Sequence, residues 1–211
     1  LVGQVTDQGA RVDYLPFIAP GLIAVAIMFW SFYETLYGSF VRMYYQKTFD
    51  AILATPLSLE DVLVGEILWA ATKSVIASSV MLGVISLFGV LSWPGSWWIV
   101  PLAALGGLLF ASLGLCFTAI CPTIDAFNLP IFLFVFPMFL FSGTFFPVDT
   151  LPVWAARIAW ALPLTHVASL ARAAALGRTP PHLAASLAYL TCASAILFVA
   201  SLALMRRRLV R

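Results

Sequence analysis

Few residues in this chain of 211 could do chemistry: Glu34, Glu66 and Lys73 stand in or beside apolar runs, and His166 and His182 are its only histidines. No Ser/His/Asp or metal-ligand spacing joins them, and no G-x-x-x-x-G-K-[ST] stretch could hold nucleotide phosphates. The chain is therefore read as neither an enzyme nor the holder of a metal or cofactor of its own. What remains is charge in an apolar setting, which is costly unless it faces protein or water. Counted at 1.5 Å per residue from Arg42 and Asp61, Glu34 lies roughly 12 Å deep, Glu66 roughly 8 Å and Lys73 roughly 18 Å. Two readings are open: Glu34 and Lys73 pair between neighbouring helices, or Lys73 lines a path for an anionic or polar substrate head. Glu66 is expected to snorkel. His166, next to Thr165, reads as a polar helix-cap contact in preference to a general base.

The elements that carry these residues follow from composition. Hydrophobic residues make up 63% of the chain and charged ones 9%, with a mean hydropathy of +1.03, far from globular averages. This is an integral membrane protein of all-α class. A net charge of +2, with one basic run only, at the C-terminus, excludes a nucleic-acid footprint. Cys116, Cys121 and Cys192 lie in or beside apolar runs and read as small buried hydrophobes. The chain begins at Leu1, and residues 1–14 lack the blocks of a signal peptide, so it is read as starting partway through a longer protein.

Five apolar runs are candidates to cross about 30 Å of hydrocarbon: 15–40, 63–91, 97–121, 129–146 and 183–205. The cluster MRRRLVR at 205–211 places the C-terminus in the cytoplasm. Alternation then puts Arg42, Lys47, Arg206, Arg207, Arg208 and Arg211 inside, and Arg11, Arg157, Arg172 and Arg178 outside. Trp93, Trp97 and Trp98 fall where an external aromatic belt would lie. Small residues at helical spacing, Ala103–Gly107–Ala111 and Ala70–Ser74–Ser78, point to close helix packing.

The internal loop 41–62 contains a short helix: Phe49, Ile52 and Leu53 share one apolar face, Asp50 points elsewhere, and Pro56 ends it. That face is read as exposed, either lying on the membrane or offered to a soluble partner. Ser58 and Asp61, with Glu60 between, have capping-box spacing for the next helix. The external segment 147–182 holds two short helices. Asp149 or Thr150 caps the first, with Pro152 in its first turn, through Trp154, Arg157, Ile158 and Trp160 to Pro163. Thr165 caps the second, which carries His166 and Arg172 and ends at Gly177 before Pro180 and Pro181. Too short to span and too apolar for water, the pair is expected to dip into the outer leaflet and return.

LFSGTFFPVDTLPVWAARIAWALPLTHVASLARAAALG at 140–177 resembles the signature of ABC-2 type exporter permeases. FVRMYYQKTFDAILATPLSLEDVLVGEILWAATK at 40–73 resembles their subgroup typified by the permease of the rhizobial nodulation-factor (lipo-chitooligosaccharide) exporter. The resemblance implies a single permease domain of six helices, five of them present, in the bacterial inner membrane, dimerised with a second copy. It also implies a separate cytoplasmic ABC ATPase that binds ATP and Mg. The coupling helix carries over to Thr48 through Pro56, with Phe49, Ile52, Leu53 and Thr55 between, and the external re-entrant hairpin to about 151–177. The implied activity is ATP-driven export of an amphipathic glycolipid or lipo-oligosaccharide; drugs or polysaccharide are alternative cargoes. An ion-coupled secondary transporter or an intramembrane transferase would be a different class.

Overall fold

The computed structural model describes residues 3–7, 10–93, 95–180 and 182–209, so Pro181 and Arg211 lie outside them. It opens with a feature the sequence reading lacked, an antiparallel pair of β1 (Gln4–Asp7) and β2 (Ala10–Asp13), with Val5 opposite Val12. The helices are α1 (Tyr14–Tyr44), α2 (Thr48–Leu53), α3 (Leu59–Ser86), α4 (Gly95–Ile120), α5 (Asp125–Phe141), α6 (Val153–Ala161), α7 (Pro163–Ala175) and α8 (Leu183–Leu209). Four of them, α1, α3, α4 and α8, are long and apolar enough to cross a membrane.

The fourth expected span is corrected. In place of 129–146, α5 starts at Asp125 and stops at Phe141, about 25 Å of helix at 1.5 Å per residue. Gly143, at φ +74°, turns the chain away, and a Cβ there would sit 2.6 Å from Val148 Cγ2. The capping box is formed: Asp61 N–H donates to Ser58 Oγ at 3.2 Å and Ser58 N–H to Asp61 Oδ2 at 3.0 Å.

At the centre, α4 packs against α1, α3 and α8. Its small residues set the approach. A Cβ on Gly107 would lie 3.0 Å from Ala71 Cα of α3, and one on Gly114 would lie 2.6 Å from Phe32 O of α1. Ala103 and Ala111, and Ala70, Ser74 and Ser78 on α3, are buried as their spacing predicted, and Ser74 Oγ donates to Ala103 O at 3.1 Å. Two wide π-turns interrupt otherwise regular helices, Glu34–Gly38 in α1 and Ile131–Val135 in α5.

Candidate functional site

The π-turn of α1 builds the charge site. In an uninterrupted α-helix, eight residues advance about 800°, leaving Arg42 about 80° off the face of Glu34. A turn that absorbs one extra residue removes about 100° of this, and the two side chains meet. Glu34 Oε1 accepts from Arg42 Nη1 and Nη2, each at 3.2 Å, and Glu34 Oε2 accepts from Lys73 Nζ of α3 at 2.7 Å. Gly38 leaves the space, since a Cβ there would lie 3.1 Å from Glu34 Oε1 and 3.2 Å from Arg42 Nη2. Thr118 Oγ1 of α4 donates to Thr35 O at 2.8 Å, satisfying a carbonyl within the wide turn.

Arg42 is the hub, and the sequence reading, which used it only to mark a helix end, missed that. Its Nε donates to Glu66 Oε1 at 2.8 Å, its Nη2 bonds Glu66 Oε2, and Ser39 Oγ donates to the same Oε2 at 2.6 Å. Glu66 therefore does not snorkel. It turns inward because a bidentate guanidinium partner is within reach. Two carboxylates and two cations balance to zero, with the Glu34 and Glu66 side chains only 14% and 12% exposed. Lys73 is the most open member at 32%, and its Nζ lies 5.1 Å from the Trp69 ring centre. Beside Glu34, an open cleft is lined by Phe29, Trp30, Tyr33 and Tyr37.

The loop helix is docked differently from expectation. The chain enters α2 through Lys47 in the left-handed region, φ 56°, which tips the helix onto the bundle. Phe49 is then fully buried and Ile52 packs against the core, so the apolar face read as exposed is the anchoring face. Outward lie Leu53, Thr55, Pro56 and Leu57, with Thr48 half-buried at the start.

The hairpin is also corrected. Asp149 and Thr150 sit in a separate short turn, and α6 begins after Pro152 with no side-chain cap. Pro163 starts α7, and Thr165 Oγ1 donates to Ala159 O at 2.5 Å, tying the two arms together in place of capping. α6 turns Trp154, Arg157, Ile158 and Trp160 outward, whereas α7 is buried against α1 and α4, shielded by protein more than by lipid. Arg172 lies inside: its Nε donates to Phe17 O at 3.2 Å, its Nη2 to Gly143 O at 2.8 Å, and its guanidinium stacks on the Phe17 ring. His166 is no cap contact either. Its Nε2 donates to Trp160 O at 3.0 Å, which leaves Nδ1 to accept from Ser186 Oγ of α8 at 3.0 Å. Burial holds its pKa below the usual histidine value, against the pull of the Trp160 carbonyl, and the imidazole stays neutral.

A bundle that holds a balanced four-charge network, with a docked loop helix at one end and a helical hairpin at the other, has the parts of a membrane transport subunit. The chain belongs to the ABC-2 type transporter family, which it matches over residues 1–176. It is 40% identical over 210 residues to Nodulation protein J of Rhizobium leguminosarum bv. viciae, covering 100% of this chain and 81% of that one. It is 35% identical over 208 residues to Nodulation protein J of Rhizobium meliloti (strain 1021), with 99% and 79% covered. A probable multidrug ABC transporter permease, YbhR of Escherichia coli (strain K12), is 25% identical over 172 residues, 77% of this chain and 44% of that one. The chain is thus an ABC exporter permease, a membrane transport component that is not itself catalytic.

Proposed function

We propose that this permease exports an amphipathic glycolipid or lipo-oligosaccharide from the bacterial inner membrane, driven by a cytoplasmic ABC ATPase that binds ATP and Mg, and that it works as a dimer of two copies. The coupling surface carries the reading. α2 is clamped by Phe49, so a push on Leu53, Thr55, Pro56 or Leu57 is delivered to the bundle as a rigid load. The nearby basic end, Arg206–Arg208, is then cytoplasmic, and α6 and α7 lie at the external face. Similarity to Nodulation protein J supports the cargo class, and the aromatic cleft beside Glu34 suits a molecule with both a sugar-like head and an apolar tail.

The test is transport by the full-length permease reconstituted in vesicles with its ABC ATPase, which is expected to be encoded beside it. Fluorescent lipo-oligosaccharide should move only with ATP and stop with Leu53→Asp. ATP-dependent movement of drugs or of polysaccharide without a lipid anchor, and not of the glycolipid, would assign the alternative cargo. Transport that ignores ATP and follows an ion gradient would overturn the energy source.

A further inference from the structure

Where the start of α3 faces the end of α8, Glu60, Val199, Leu202, Ala203, Arg206 and Arg207 line an open groove of about 590 Å³. Residues 199, 202, 203 and 206 follow helical spacing, so apolar side chains and an arginine lie in line along one face of α8. Among the described residues, Arg206 and Arg207 are not held in place by the fold. Arg208 is: its Nη1 donates to Thr118 O and, at 2.7 Å, to Cys121 O, capping the end of α4. Arg206 has only a long contact to Glu60, 3.8 Å with both side chains well exposed. Among the described residues Arg207 has no hydrogen bond or ion pair. Two cations at the head of an apolar channel at the end of a spanning helix match one chemistry: a phosphodiester with an acyl chain.

We propose that this groove binds an anionic glycerophospholipid, its phosphate on Arg206 and Arg207 and an acyl chain along Val199, Leu202 and Ala203. A basic pocket between helix ends suits such head groups, and each arginine near the surface is worth about fivefold in affinity. Glu60 competes with the phosphate for Arg206, so lipid binding displaces that contact. The site shares no residue with the charge network or with the cleft beside Glu34, and does not rest on the export reading.

The full-length permease is purified into nanodiscs of phosphatidylcholine mixed with phosphatidylglycerol, and retained lipid is counted by native mass spectrometry. Phosphatidylglycerol should be retained preferentially. Arg206→Gln with Arg207→Gln should cut retention by an order of magnitude or more, Arg157→Gln, at an exposed arginine elsewhere, should not, and inorganic phosphate should not compete. Glu60→Gln should raise retention a few-fold, a gain that misfolding cannot imitate. Equal retention of both lipids, or an unchanged Glu60→Gln, overturns the proposal. So does displacement of the lipid when the ATPase binds, which would make the groove a protein interface.

Discussion

Lys73 Nζ stands 2.7 Å from Glu34 Oε2 across the seam between α3 and α1, while the other oxygen of that carboxylate is held by Arg42 of its own helix. The pair read from the sequence is therefore present, but as one edge of a four-charge network. Removing different members has unequal consequences.

Lys73→Ala leaves Glu34 with Arg42 and should cost about 1 kcal/mol. Arg42→Ala leaves Glu34 and Glu66 without the cation between them and should cost about 3 kcal/mol, visible as lost folded protein in detergent chromatography. Arg42→Lys should recover only part, since an ammonium cannot span both carboxylates. Equal losses from Lys73→Ala and Arg42→Ala would make Glu34, not Arg42, the hub. Near-normal abundance of Lys73→Ala with failed export would give Lys73 the substrate path.

Phe49 and Leu53 should separate folding from coupling. Phe49→Asp buries an unpaired charge and is expected to deplete the folded permease. Leu53→Asp, at an exposed position, should leave abundance within about 0.5 kcal/mol of the parent and weaken co-purification of the ATPase. If Leu53→Asp retains the ATPase fully and exports normally, α2 is not the coupling surface.

His166 gives a pH dependence with a definite sign. Its folded pKa is depressed by burial, so the stabilisation from the neutral ring is complete above the unfolded value of about 6.5 and is lost as pH falls below it. The protection factors of the α7 amides, with the intrinsic pH dependence of exchange divided out, should fall between about pH 7.5 and about 5.5, and His166→Gln should flatten that response. An identical acid response in His166→Gln would assign it to another group.

The orientation can be read by thiol labelling in a Cys192→Ser background, because Cys116 and Cys121 are already buried. Val153→Cys and Arg178→Cys should both react with an impermeant reagent applied outside. Gly177 is a poor reporter: its φ is +65°, and an added Cβ would sit 2.6 Å from Ser92 Oγ. Reaction of either site only from the cytoplasm would reverse the proposed topology.

Much of the fold was legible because a bilayer leaves few choices. Hydropathy located α1, α3, α4 and α8, prolines broke the hairpin into two arms, and Ser58 with Asp61 announced the start of α3. Direction was harder to read. Spacing gathered Phe49, Ile52 and Leu53 on one face, but which way it points depends on Lys47 tipping the helix, a tertiary fact. Arg42 sits eight residues after Glu34, a separation that looks useless on a regular helix and works only across the π-turn. Arg172 looked like a charged interruption of an apolar hairpin and His166 like a helix-cap contact because their partners, Phe17, Gly143 and Ser186, are remote in sequence.

The wide turn at Glu34–Gly38 also means that α1 carries one residue more than its geometry needs. Deleting Tyr37 would let the turn close to ordinary α spacing, with seven residues advancing about 700° and Arg42 still facing Glu34. Deleting Ile27 from the regular part would swing everything beyond it by about 100°, carrying Arg42 away from Glu66 and Phe40 out of the core. The first shortened chain should therefore fold and the second should not, as chromatography in detergent would show. The residue most easily spared from this membrane helix lies beside its most highly charged stretch.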